Sequence, residues 1–486
     1  MAMQNLLNKV QQYYPHQENL IYLRQAYALA AQIHQGQRRL NGEPYLNHVL
    51  QTAHLIADIK LDLHAVSAAL LHDLVESREG WREVKKKGFP SEVIFLLEKI
   101  LQLKSIPTRR HYQLAPDNIQ FMILAAAEDV RPVLIRLAEK IHNLQTLEGL
   151  DEQKQQIALD KVIEIYAPLA SRLGAYYFKR LLEDEALRYL HPQAYDEITA
   201  AVNEVAGNKD FWLGQFHHQL EKVLQKAGLK FTLKSRIKHK YSIFQKFQRR
   251  GRPEEETLRD FIHRYWDIVA FRVITEKEDD CYRALAAIEA VWPRGPDFND
   301  YIAHPKPNGY RSLHTTIQGP EGIPVEVQIR TWEMHHYNEY GPAAHILYKA
   351  RQNQRQADPR RLEWLRDLLK WQEELEKKKG KDFRLSFLSD RIFVLTPQSD
   401  VVVLPRGATP LDFAYKLHTE LGNSFRGALV NGKLVPLDYC LQTGEVCEIL
   451  RDKQRQGPSW DWLQIVRTKM ARRKILRSLR QSSAEA

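Results

Sequence analysis

Several short stretches carry residue types that can do chemistry. "LLHDLVES", residues 70–77, sets His72 beside Asp73, with Glu76 one helical turn after His72. His48 and Glu139 lie in other helical stretches, and imidazole plus carboxylate is a donor set that suits a divalent metal such as Mn²⁺. A metal held in that way activates water against a phosphoester. One adjacent His-Asp pair is a weak signal by itself, because helical histidines are more often exposed or hydrogen-bonded than metal-bound.

A second group lies further along the chain. "SRIKHKYSIFQK" gathers Arg236, Lys238, Ser242 and Lys246 where a strand is expected to run into a helix. Cations and a hydroxyl near a helix start suit a triphosphate, although alone they read equally as a solvated basic face. "DIVAFRVI" carries Asp267, and "VEVQIRT" places Glu326 and Gln328 on one face of a strand at period two. Two carboxylates on neighbouring strands can hold Mg²⁺ on a nucleotide. "DYIAHPKPNGYRSLHTT" spaces Lys306, Tyr310 and His314 four residues apart in a loop rich in Pro, Asn and Gly. An aromatic flanked by cations offers a purine nucleotide both a stacking surface and charge neutralisation.

The elements that must position these groups follow from periodicity. From residue 18 to about 200 apolar residues return every three or four positions, as in "LIYLRQAYALAAQIH", which predicts an all-helical domain. Between 229 and 349 the runs "KFTLKSRIKH", "IVAFRVIT", "RSLHTTIQG" and "IPVEVQIRT" predict strands enclosing helices such as "DDCYRALAAIEAVW", an α/β or α+β domain. "RRLEWLRDLLKWQEELEKKKG" reads as a helical connector. Residues 388–450 predict a small β-rich unit around one helix, "PLDFAYKLHTEL", with a hairpin turn at "NGK". The tail from 453 predicts a basic amphipathic helix.

Composition bounds the possibilities. A chain of 486 residues with 44% apolar residues can bury several cores. No run of about 18 apolar residues occurs, so no membrane segment is expected and the cytoplasm is the expected compartment. Three cysteines, Cys281, Cys440 and Cys447, form no C-x-x-C pair and read as reduced thiols. A formal charge of +11 points to a polyanionic partner such as nucleotide phosphates or RNA.

"HQGQRRLNGEPYLNHV", "AALLHDLVES", "LIRLAEKIHNLQTL" and "IYAPLASRLGAYYFKRLLEDEALRYL" together resemble the HD-type hydrolase domain of the long RelA/SpoT homologues, the (p)ppGpp synthetase/hydrolases. The resemblance implies metal positions at His48, His72 and Asp73. Hydrolase-active members carry Asp where this chain has Glu139 and Glu-Asp where it has Glu76-Ser77. A longer ligand at 139 and a serine that cannot titrate at 77 imply a retained fold with a weak or inactive hydrolase.

"FNDYIAHPKPNGYRSLHTT" and "EVQIRTWEMHHYNEYGPAAHILYK" resemble the synthetase domain of the same family. This implies transfer of pyrophosphate from ATP to the 3′-hydroxyl of GDP or GTP. Asp267 and Glu326 are implied as Mg²⁺ ligands, with Glu326 also activating the hydroxyl. Arg236, Lys238, Ser242 and Lys246 are implied to hold ATP phosphates, and Arg272 to pack on adenine. Tyr310 is implied to stack on guanine, with Lys306, His314 and Gln328 also at the acceptor nucleotide. Bifunctional members carry a basic R-x-K-D before this loop and synthetase-only members an acidic E-x-D-D. Asp297-Phe298-Asn299-Asp300 lacks both basic residues, which leans toward the synthetase-only branch.

"RIFVLTPQSDVVVLPRGATPLDFAYKLHTELGN" resembles the family's TGS domain, implying that His418 contacts uncharged tRNA on the ribosome. The expected architecture is therefore a multidomain chain. An all-α HD-type domain covers 1–195 and an α/β nucleotidyltransferase-like synthetase domain covers 196–350. A helical connector (351–387), a small β-grasp-like TGS domain (388–452) and a basic helical tail (453–486) complete it. Two alternatives stand beside a synthetase with a degenerate hydrolase domain: a bifunctional enzyme that also hydrolyses (p)ppGpp with Mn²⁺, and a ribosome- or tRNA-binding regulator.

Overall fold

The structure is a computed structural model. It describes residues 2–14, 20–104, 122, 126, 129–207, 210–250, 257–264, 269–306, 309–318, 324–340, 391–397, 401–452 and 457–482. The helical connector expected over 351–387 lies outside the described residues, as does Asp267. One compact unit comprises residues 1–97 and 134–348, and another comprises 98–133 and 349–486.

The helical part of the first unit is built around Leu63–Leu71, in which every residue but His64 is buried. A helix that is apolar all round must lie inside its neighbours. This one packs on Ile21–Ile33 and Tyr45–Asp58. Asp62 caps its start by accepting from the Ala65 N–H at 2.9 Å. The α-helix stops at Leu71, so His72 and Asp73 sit at its end, before a 3-10 turn over Leu74–Glu76.

Among the described residues, the strands of this unit form one five-stranded sheet. They are β1 (Phe231–Ile237), β2 (Val269–Thr275), β3 (Arg294–Asp300), β4 (Leu313–Gln318) and β5 (Pro324–Thr331), in the order β1-β2-β5-β4-β3. Only β2 and β5 pair in parallel. Phe271, Val273, Val327, Ile329, Leu313 and Ile317 make one face apolar, packed with Phe216 and Leu220 of helix Asp210–Lys226 and with Cys281, Ala284 and Ile288 of helix Glu278–Glu289. The alternate positions put Lys234, Arg272, Gln328 and His314 in one cross-strand row on the other face. The edge strand β3, "RGPDFND", escapes the hydrophobic pattern because an edge position tolerates proline and a register break.

In the second unit β6 (Arg391–Leu395) pairs with β7 (Val401–Pro405), and β8 (Phe425–Val430) lies between β9 (Lys433–Val435) and β10 (Cys447–Arg451). The hairpin turn has positive φ at both Asn431 (51°) and Gly432 (79°), as an Asn-Gly turn requires. Two expectations change. The helix expected over "PLDFAYKLHTEL" is broken at His418, whose backbone is extended between Pro410–Leu417 and Thr419–Asn423. The basic helix expected in the tail is present at Lys469–Ser482 but does not stand apart: Trp462, Val466, Ala471, Ile475 and Leu479 are buried with Leu411 and Phe413 in the same core. The buried Asp412 carboxylate accepts from the N–H groups of Arg467 and Thr468 at 2.9 Å, which breaks the tail before helix Lys469–Ser482 and ties it down.

Candidate functional site

Two polar clusters stand out in the first unit. In the helical part, helix Tyr45–Asp58 supplies His48, the end of Leu63–Leu71 supplies His72 and Asp73, and helix Arg131–Gln145 supplies Glu139 and His142. His48 Nε2 lies 3.4 Å and His72 Nε2 3.2 Å from the Asp73 carboxylate. Among the described residues these three are the group whose ligand atoms converge closely enough for one metal ion. Two imidazoles and a carboxylate suit a divalent first-row cation. His72 Nδ1 donates to the Ala69 carbonyl at 2.8 Å, which leaves Nε2 as the lone-pair nitrogen facing Asp73.

Other contacts oppose that use. Arg39 Nη1 reaches Nδ1 of both His48 and His142 at 2.8 Å. A guanidinium only donates, so His48 accepts at Nδ1 and carries its proton on Nε2, the atom a metal needs. Burial, reinforced by His72, lowers the His48 pKa to about 2, and burial with the Arg39 charge lowers that of His142 to about 4. Glu139 stands outside the three-residue cluster that was expected to include it. Its carboxylate is held by Arg136 and by Lys140 at 3.2 Å, and it stays 4.0 Å from His72 Nε2.

Ser77 has a structural task. Its hydroxyl accepts from the Gly80 N–H at 3.0 Å and caps helix Arg78–Lys86, and a side chain at Gly80 would collide with the Leu74 carbonyl. Glu76 ends the 3-10 turn and is exposed. Beside the cluster lies a cavity of about 560 Å³ lined by Arg38, Arg39, Tyr45, Lys140, Lys154 and Lys161 among others. Its size and basic walls fit a nucleotide-sized anion.

The second cluster lies on the polar face of the sheet. Glu326 on β5 accepts from His314 Nδ1 on β4 at 2.9 Å and from Gln328 Nε2 at 3.1 Å. The Tyr310 hydroxyl donates to His314 Nε2 at 2.7 Å. Burial works to raise the Glu326 pKa, but the His314 and Gln328 hydrogen bonds and the Lys238 charge outweigh it and hold it at about 2. Burial keeps His314 neutral, consistent with one nitrogen donating and the other accepting. Lys306 Nζ lies 4.3 Å from the Tyr301 ring and 5.3 Å from that of Tyr310. Gly309 turns the intervening loop at φ 75°, where a side chain would strike the Tyr337 ring.

The structure thus brings together Glu326, Gln328, His314, Tyr310 and Lys306, with Lys238 close enough to act on Glu326. Arg236 lies on β1, and Lys246 on helix Lys240–Arg250 with Ser242, whose hydroxyl contacts His239 at 3.1 Å. Arg272 is only 7% exposed and forms an ion pair with Glu339 at 2.8 Å. Asp300 caps the N–H groups of Ile302 and Ala303, and Asn299 pairs in register with His314. In the second unit His418 is exposed at the helix break.

Residues that motif reading passed over include Arg39, His142 and Arg330. His142 shares a helix with Glu139 at i,i+3, and Arg330 continues the period-two row of Glu326 and Gln328, so both carried a readable signal.

Comparison with known proteins agrees with this layout. Residues 26–176 match an HD domain, 235–353 the region found in RelA / SpoT proteins, and 392–451 a TGS domain. A GTP pyrophosphokinase of Myxococcus xanthus is 39% identical over 98% of this chain and 62% of its own length. One of Streptomyces coelicolor is 40% identical over 93% of the chain and 55% of its own length. The chain therefore spans less than two thirds of these two relatives. A guanosine-3′,5′-bis(diphosphate) 3′-pyrophosphohydrolase of Aquifex aeolicus is 38% identical over 100% of the chain and 68% of its own length. Three domain matches in order, and a relative matched over most of both chains, place this protein in the RelA/SpoT family.

Proposed function

We propose that the chain transfers the pyrophosphoryl group of ATP to the ribose 3′-hydroxyl of GDP or GTP, making (p)ppGpp, while its HD domain is weak or inactive as a hydrolase. The observation that carries this reading is an ionised, partly buried carboxylate, Glu326, hydrogen-bonded through His314 to Tyr310, whose ring lies 5.3 Å from the Lys306 ammonium. The acceptor base stacks on Tyr310, Lys306 neutralises its phosphates, and the hydroxyl lies against Glu326.

The hydroxyl oxygen bonds to the β-phosphorus of ATP, the bond from that phosphorus to the bridging oxygen breaks, AMP leaves, and the hydroxyl proton passes to solvent by way of Glu326. A carboxylate held at about 2 is a poor base at neutral pH, so Glu326 mainly orients the hydroxyl. That suits a loose transition state, in which positioning and charge neutralisation do most of the catalysis. Glu326 and Asp267 would hold a Mg²⁺, which takes ionised carboxylate oxygens and would supply charge neutralisation at the phosphates. Lys238, Arg236, Ser242 and Lys246 hold the ATP phosphates.

A second reading has its own support. The His48–His72–Asp73 cluster beside a basic cavity favours metal-dependent (p)ppGpp hydrolysis, with Mn²⁺ as the ion. In the second unit we assign the exposed His418 to contact with tRNA on the ribosome. Paired assays separate the two catalytic readings: ATP with GDP or GTP and Mg²⁺ against ppGpp with Mn²⁺. Synthesis without appreciable hydrolysis is the expected outcome, and rapid hydrolysis without synthesis reverses the assignment.

A further inference from the structure

Arg330 is 1% exposed, among the most buried side chains of its size in the protein. A guanidinium withdrawn from water is costly unless its neighbours use it. Arg330 lies two residues beyond Gln328 on β5, so both point to the polar face that carries Glu326. Its Nη2 donates to Gln328 Oε1, and its guanidinium carbon lies 5.6 Å from the centre of the Tyr310 ring.

These contacts close a ring. Arg330 holds the Gln328 oxygen, the Gln328 amide donates to Glu326, His314 donates to the same Glu326 oxygen, Tyr310 donates to His314, and Arg330 sits against Tyr310. A primary amide can turn over at little cost and present oxygen where it had presented nitrogen. If Gln328 turned, its oxygen would face the Glu326 carboxylate and repel it. Arg330 has donors and no acceptor, so it admits only the amide oxygen on its side.

We infer that Arg330 is the positioning residue of this site: it selects the Gln328 amide orientation that holds Glu326, and it supports the ring of Tyr310. The inference rests on the reading of the site as the place where an acceptor nucleotide is bound and pyrophosphorylated. Arg330 touches neither substrate. It acts on the orientation of the hydroxyl through Glu326 and on the base through Tyr310, so it links turnover with acceptor binding and leaves ATP binding alone.

The test is a double-mutant cycle in synthesis assays on the full chain, with the unaltered protein assayed first. Arg330→Met is expected to lower kcat on the order of 100-fold, the size of effect that a misplacement of about 1 Å produces. It is also expected to raise KM for GDP or GTP and to leave KM for ATP within about twofold. Gln328→Met alone should cost a similar factor, and the double variant should be no slower than the slower single variant, because the two residues act as one unit. If Arg330→Met melts below the assay temperature, Arg330→Lys serves instead. It keeps the charge without the planar fork, and it should show the same loss of kcat at an unchanged melting temperature. Losses that multiply in the double variant, or a near-normal kcat in Arg330→Lys, overturn the inference. An unaltered chain that makes no product overturns the reading beneath it, and the order of the assays keeps the two failures apart.

Discussion

The two polar clusters use the same residue types to opposite effect. In the helical domain, cations engage the polar groups: Arg39 takes His48 Nδ1, which puts the proton on Nε2, and Arg136 and Lys140 take Glu139. On the sheet, neutral donors hold Glu326, so its charge stays available, and Lys238 acts from further off. A carboxylate pinned by arginine is spent on structure, whereas one oriented by histidine and glutamine still has charge to offer a cation or a hydroxyl. The difference between Glu139 and Glu326 lies in what surrounds each carboxylate.

The largest expected effect breaks the comparison at its active side. Glu326→Gln should lower synthesis on the order of 10²–10³-fold, the scale of losing one preorganised charged group at the reacting centre, with His72→Ala leaving synthesis intact. A Gln variant that keeps normal turnover removes Glu326 from the site. The next test addresses the helical cluster by calorimetric titration with Mn²⁺. Asp73→Asn should weaken binding on the order of 100-fold, and Glu139→Gln should change it by less than about threefold, because Glu139 is already paired. Equal losses in the two variants would return Glu139 to the ligand set.

A third prediction concerns pH. Burial, aided by the Arg272 and Arg330 charges, lowers the His335 pKa from 6.5 to about 2, so the unfolded chain binds a proton that the folded one does not. That stability is full above pH 6.5 and declines as pH falls toward 2, by up to about 1.4 kcal/mol per pH unit. The Glu326 contribution has the same sign in a lower window, present above pH 4.5 and lost as pH falls toward 2. Urea midpoints at pH 7 and pH 5.5 check this, and His335→Gln should reduce the difference, with the remainder left to His48 and His142. The smallest effect sharpens the comparison at Ser77. Ser77→Ala should cost about 1 kcal/mol through loss of the helix cap, whereas Ser77→Asp should keep the cap. Any rise in (p)ppGpp hydrolysis in Ser77→Asp then reports restored chemistry and not repaired folding.

Much of this was legible in the sequence. The helical period, the strands that became β1, β2, β4 and β5, the Asn-Gly hairpin and the row of Glu326 and Gln328 all follow from local spacing. The edge strand β3 was not legible, because "RGPDFND" is polar and its strand character comes from pairing with β4. The break at His418 was not legible in a run that reads as one helix, and the docking of the tail was not legible either, because Asp412 makes it from more than fifty residues away.

For this protein the sequence alone settled which residue types are present and which face of each element they occupy, since period and turn chemistry are local properties. Only the tertiary structure decided which of those residues are free to act. Arg39 reaches His142 from 103 residues away, and His314 reaches Glu326 across a strand pairing. Whether a carboxylate is spent on an arginine or held open by an imidazole depends on contacts between distant segments, which no local pattern encodes.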